Sequence, residues 1–163
     1  MPIRRAALLT VAVSALALGT AIASEVWGGL VPCALCLVER WPYRIGIGLG
    51  VLALVLPPRA GRVVVALAAL VLLGGAGVGL VHVGVEQGWW PSPLPECAAP
   101  VIRGTTPEER LAQMPARPAK PCDDPTYLVS FVPVSMAAMN MIYGLAAGGL
   151  LLSVAATMRE RGR

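Results

Sequence analysis

The stretch Val63-Val64-Val65-Ala66-Leu67-Ala68-Ala69-Leu70-Val71-Leu72-Leu73-Gly74-Gly75-Ala76-Gly77-Val78-Gly79-Leu80-Val81-His82-Val83-Gly84-Val85 decides what kind of protein this is. It contains no charged side chain. At 1.5 Å per residue, a helix of about 20 apolar residues crosses a hydrocarbon core about 30 Å thick. A soluble core has no need of so long an uninterrupted run, so the bilayer is the better solvent for it. The glycines from Gly74 to Gly84 permit the close helix approach on which membrane bundles depend.

Similar runs stand on both sides. Ala6 to Ala23 follows Arg4 and Arg5 and is long enough to cross. Two arginines, an apolar stretch and Ala21-Ile22-Ala23 also fit a cleavable signal peptide. Either way, Ser24 to Cys36 falls outside the cytoplasm. Ile45 to Leu56 is too short to cross alone and needs Leu37 to Arg44, including Glu39, Arg40 and Arg44. Those charges then sit near an interface, where long side chains snorkel and Trp41 and Tyr43 anchor. Pro57-Pro58 ends this helix and Gly61 helps the turn. The last run, about Val129 to Met158, exceeds the need, so one end lies at the interface or tilts.

These runs predict an all-α integral membrane protein of one domain, residues 1–163. It is a four-transmembrane-helix bundle with spans at about 6–24, 38–56, 63–85 and 130–157. Loops at about 25–37 and 86–129 join them, the second carrying a short surface helix. Composition agrees: 56% of residues are hydrophobic and 13% charged, against roughly 25% charged in soluble domains. The net charge of +4 is not gathered into a basic patch with interleaved aromatics, which argues against nucleic acid. Instead Arg4, Arg5, Arg59, Arg62, Arg159, Arg161 and Arg163 fall on one side of a four-span chain, and that side is the cytoplasm. All four cysteines then lie on the opposite face. In the second loop, Trp89 and Trp90 suit an interfacial belt. Thr106-Pro107-Glu108-Glu109 has capping-box spacing and starts a helix from Pro107 to Met114, with Ile102, Leu111 and Met114 as its apolar edge.

Four cysteines on a non-cytoplasmic face imply an oxidising compartment. A disulfide closing the loop from Cys97 to Cys122 would staple it. The ring of Cys33-Ala34-Leu35-Cys36 is too small for that purpose, and C-x-x-C spacing is associated with redox exchange. Structural staples and a four-cysteine zinc site remain alternatives, although the paired knuckles usual for zinc are missing. A second helix beginning near Pro32 to Ala34 puts both thiols in its first turn, where free N–H groups and the positive dipole end favour a thiolate. This argument gives the thiolate to Cys36. Arg40, four residues on, shares its face, favours the thiolate, and can hold a carbonyl oxygen of a ligand.

Cys33-Ala34-Leu35-Cys36-Leu37-Val38-Glu39-Arg40, Pro91-Ser92-Pro93 shortly before Cys97, and Cys122 ahead of the last span together resemble the DsbB family of bacterial inner-membrane, quinone-linked thiol oxidases. The resemblance implies that the first helix is retained in a four-helix bundle, with both termini cytoplasmic and the cysteines periplasmic. It implies that Cys97 and Cys122 form an exposed disulfide oxidising a periplasmic DsbA-like partner, with Cys97 the sulfur attacked. It further implies that Cys33–Cys36 reoxidises them through a Cys33–Cys122 bond. Cys36 then serves ubiquinone or menaquinone held near Arg40. His82, with Glu86 one turn on, lines the quinone pocket or manages its protons, or else is merely bonded to Glu86 or a backbone carbonyl. Asn140 is expected to make an interhelical hydrogen bond or contact quinone, and Met136, Met139 and Met141 to pack. Two alternatives stay open: a quinone or epoxide reductase like the vitamin K epoxide reductase group, and a non-enzymatic membrane subunit with structural disulfides.

Overall fold

The computed structural model describes residues 2–97, 106–112, 120–128 and 131–160. Four long helices pack together: α1 (Ile3–Val26), α2 (Ala34–Val55), α3 (Pro58–Glu86) and α5 (Met136–Glu160). A 3-10 turn (Pro95–Cys97) and the short α4 (Pro107–Ala112) lie between α3 and α5. Among the described residues the only β-type pairing is an isolated bridge between Tyr127 and Ser135.

The helix limits follow local chemistry more than hydropathy. Leu56 and Pro57 are extended, and Pro58 opens α3 at its first position, where a missing N–H costs nothing. Helix α3 thus starts well before the apolar run at Val63. Helix α5 starts later than the hydrophobic run suggests. Ser135 caps it, its Oγ accepting the backbone N–H of Ala138 at 3.2 Å. The expected starts at Val129 and Ser130 lie outside the described residues, as do Ile102, Met114, Arg161 and Arg163. Helix α4 has the reciprocal cap bonds of its box: Glu109 N–H donates to Thr106 Oγ1 at 3.2 Å and Thr106 N–H to Glu109 Oε2 at 3.4 Å.

Small residues line the contacts between helices, while large apolar ones point outward. Gly46 and Gly50 of α2 approach Ser14, Val11 and Ala7 of α1, and Gly144 and Gly148 of α5 approach Ala76, Leu73 and Ala69 of α3. Within the α3 glycine run, Gly75 faces Pro42 and Gly79 faces Met141, whereas Gly74 and Gly77 face open space. Leu16, Val55, Leu67, Leu70 and Leu145 are exposed. Many leucines thus face outward while alanine and glycine line most helix contacts, as lipid favours, because burying a leucine gains little when the solvent is itself apolar.

Helices α1, α3 and α5 (as Met136–Met158) are long and apolar enough to cross a membrane. Helix α2 has the length, 22 residues, but carries Glu39, Arg40 and Arg44 in its first half. Helix α3 packs broadly on α2 and α5, and α1 packs on α2. The buried residues form three clusters. One gathers Ala6, Ala53, Val65 and Ala155, a second Tyr43, Leu72, Ala147 and Leu151, and a third the cysteines.

Candidate functional site

Cys33 is the N-cap of α2. Its backbone is extended (φ −78°, ψ 173°), and its Sγ accepts the N–H of Cys36, three residues on, at 3.2 Å. This is the geometry of a serine or aspartate cap with sulfur in place of oxygen. The C-x-x-C spacing therefore puts its thiols at the cap and on the first turn, with the sulfurs 3.0 Å apart and both free.

The contact between the sulfurs holds one proton, which either could donate. Cys33 already accepts a backbone N–H, and its Sγ lies 3.5 Å from His82 Nε2. Both contacts favour a negative charge on Cys33 over one on Cys36. The hydrogen bond from Cys36 is the main cause that lowers the Cys33 thiol to about 4; burial opposes it and His82 reinforces it. This corrects the sequence argument. In the dithiol form the helix start favours a thiolate on Cys33, because the cap position, not the first turn, receives the donors.

His82 comes from α3. Its Nδ1–H donates to Glu39 Oε1 at 2.8 Å, and its ring is 2% exposed. Glu86, the expected partner one turn along, is instead bonded by the Ser135 hydroxyl. Glu39, by sequence an interfacial charge, is 6% exposed and faces inward. A carboxylate is so costly to bury unpaired that its presence in an apolar helix was itself a signal.

Cys36 opens on a cavity of about 330 Å³ between α1, α2 and α5, whose wall includes Arg40, Tyr43, Met136, Met139 and Asn140. His82 is not on this wall. It meets the wall through Glu39 and, by way of Cys33, through Cys36, so, contrary to expectation, it does not itself line this cavity. The guanidinium of Arg40 is held by Glu25 at 2.7 Å and donates to the Ala21 carbonyl at 3.5 Å. Tyr43 O–H donates to Asn140 Oδ1 at 2.6 Å, joining α2 to α5. Asn140 Nδ2 is buried with no partner among the described residues. An apolar cavity with Arg40 and Asn140 on its wall suits a ligand with an apolar body and carbonyl oxygens.

Cys97 and Cys122 are bonded to each other. They are 4% and 1% exposed, packed with Cys33, Leu35 and Val85. The exposure expected for this disulfide is thus not found: the 3-10 turn carrying Cys97 folds back onto α2. Beside it lies an open groove of about 600 Å³ with Trp89, Trp90, Pro91 and Asp123 on its walls. Both cysteine pairs therefore share one apolar cluster, and among the four only Cys36 borders the cavity between α1, α2 and α5.

Comparison with known protein families matches residues 3–155 to DsbB, described as disulfide bond formation protein DsbB. Comparison with curated proteins and with solved structures finds no match.

Proposed function

The chain belongs to the DsbB family of membrane proteins for disulfide bond formation, and on that premise we propose that it is a protein thiol–quinone oxidoreductase. It reoxidises a periplasmic DsbA-like dithiol and passes the electrons to membrane quinone. One observation carries this reading: the two cysteine pairs are packed in one cluster, and one sulfur of the four, Cys36, faces a cavity with the donors a quinone needs.

The protein steps follow from thiolate attack on disulfide sulfur. A partner thiolate attacks Cys97 and expels Cys122 as thiolate; the partner's second thiolate then attacks its own sulfur and releases Cys97. Cys122, packed in one cluster with Cys33, attacks Cys33 of a Cys33–Cys36 disulfide and expels Cys36 as thiolate at the cavity rim. Cys97 then attacks Cys122, closing the Cys97–Cys122 bond and releasing Cys33. Its cap N–H and His82 receive the charge. Buried Cys97 must be uncovered for the first attack, and the groove beside Trp89 and Trp90 is where an extended partner segment would approach.

The cavity residues fit a quinone: Arg40 and the unpaired Asn140 amide would hold its oxygens, and the apolar wall its ring. When bound, the quinone supplies an acceptor for two electrons and two protons. Arg40 is fixed for this task by Glu25, and Glu39 and His82 connect the cavity to Cys33.

Helix α2 crosses the inner membrane as the fourth span in this reading. Its charges support that, because each is engaged: Glu39 with His82, Arg40 with Glu25, and Arg44 stacked on Trp41 at 5.2 Å. The termini are cytoplasmic and the cysteines periplasmic. The decisive experiment is Cys36→Ser in membranes supplied with ubiquinone and a reduced DsbA-like protein. Partner oxidation should stop while the protein still inserts; unimpaired turnover would sink the assignment.

A further inference from the structure

Two sulfurs and one imidazole nitrogen converge on a single point. Cys33 Sγ lies 3.0 Å from Cys36 Sγ and 3.5 Å from His82 Nε2, and all three atoms fall within 4.8 Å of one another. A tetrahedral ion with bonds of about 2.3 Å to sulfur and about 2.0 Å to nitrogen sets sulfur pairs about 3.8 Å apart and sulfur–nitrogen pairs about 3.5 Å apart. The Cys33–His82 edge has that length already, and the sulfurs need to part by less than about 1 Å.

The outer shell is also that of a metal site. A metal-bound histidine donates its second ring N–H to a carboxylate, which fixes the tautomer and makes the ligating nitrogen more basic. Glu39 does this for His82 at 2.8 Å, leaving Nε2 turned toward the thiols. Cys36 borders the cavity, which gives an ion a way in and leaves room for water as a fourth ligand. Two thiolates and an imidazole suit Zn2+ and exclude Mg2+ and Ca2+, which require oxygen.

We propose that, when Cys33 and Cys36 are reduced, they bind one Zn2+ together with His82, with Glu39 as the supporting carboxylate, and that the bound ion withdraws both thiols from exchange. Binding releases to solvent the proton held between the sulfurs and any proton on His82 Nε2, and moves no electrons. A Cys33–Cys36 disulfide has no thiolate to offer, so the site exists only in the reduced protein. The inference is independent of which compound accepts electrons from the pair.

The test uses the full chain in detergent with Cys97→Ser and Cys122→Ser, which leaves two of its four cysteines. The reduced protein is titrated anaerobically with Zn2+ against a chromophoric chelator, and the oxidised protein is run beside it. One Zn2+ per reduced chain and none per oxidised chain is the expected result. Zn2+ should also slow alkylation of Cys36 at least tenfold, with recovery on adding EDTA. Glu39→Gln should weaken binding by about 10- to 100-fold, the usual range for an outer-shell partner, and His82→Ala by at least as much. Absence of stoichiometric binding by the reduced chain would overturn the proposal. So would affinity unchanged in both variants, since the dithiol alone would then account for it. The reduced-against-oxidised comparison uses one chain and does not depend on how either His82 or Glu39 variant folds.

Discussion

The unpaired amide of Asn140 leads to the most searching prediction. Tyr43 holds the amide oxygen at 2.6 Å, and Nδ2 has no partner among the described residues. If Nδ2 is reserved for a carbonyl of the cavity ligand, Asn140→Leu removes a ligand contact, whereas Tyr43→Phe only frees the amide to turn. A hydrogen bond of this kind is worth about 1 kcal/mol net, and a buried group left without a partner costs about 1–3 kcal/mol. Asn140→Leu should therefore weaken apparent quinone affinity by about 5- to 30-fold, which corresponds to about 1–2 kcal/mol. Tyr43→Phe should weaken it less but destabilise the fold by about 1 kcal/mol, within the range of interhelical bonds in membranes. The double variant should fall short of the summed stability losses by about the same amount, because the two residues share one bond. The assay is oxidation of a reduced DsbA-like protein at varied quinone, read as KM and kcat. A single-turnover exchange with Cys97–Cys122, run without quinone, isolates the other half of the reaction. An unchanged KM in Asn140→Leu, or an equal fall in the exchange rate, would refute the reasoning.

Two further outcomes follow. Because the Cys33 thiol is lowered to about 4, its thiolate persists above that pH and is lost only as the pH falls through it. In the reduced Cys97→Ser/Cys122→Ser protein, thiolate ultraviolet absorbance should retain one equivalent at pH 6, where an ordinary cysteine near 8.5 is protonated; loss of that absorbance between pH 9 and 7 would contradict the cap geometry. Adjacent glycines supply the second test. A Cβ on Gly75 would sit 2.8 Å from the Pro42 ring, while one on Gly74 meets nothing within 4 Å. Gly75→Ala should thus cost about 1–3 kcal/mol by overpacking, and Gly74→Ala should be neutral or gain up to about 1 kcal/mol of helix propensity. Equal unfolding midpoints would count against this α2–α3 contact.

What could be read from the sequence was what depends on near neighbours. The charge-free run at Val63–Val85, the break at Pro57-Pro58, the cap box at Thr106 and the C-x-x-C spacing each act over a few residues. The site's wiring does not. Glu86 was the obvious companion for His82 because it lies one turn away on the same helix. The actual companion, Glu39, is 43 positions distant and arrives only because α2 and α3 pack face to face. Burial of Cys97 and Cys122 was likewise hidden, since a proline-rich loop reads as exposed until its 3-10 turn is seen against α2. The start of α5 was misplaced for a different reason. Hydropathy counts apolar residues, but Pro133 and the Ser135 cap determine where the helical hydrogen bonds begin.

The consecutive charges of α2 show how one short segment can engage two neighbouring helices at once. Neighbouring residues on a helix point about 100° apart. Glu39 turns toward α3, where His82 links it to Cys33, while Arg40 turns toward α1 and is fixed by Glu25 on the cavity wall. One residue step thus separates the side chain that meets His82 of α3 from the one that meets Glu25 of α1, while both border the cavity. The order of the two charges is therefore part of the design. With arginine at 39 and glutamate at 40, a cation would face the imidazole and a carboxylate would face Glu25. The first would set a cation against a buried imidazole and the second a carboxylate against a carboxylate, although composition, net charge and hydropathy would be identical.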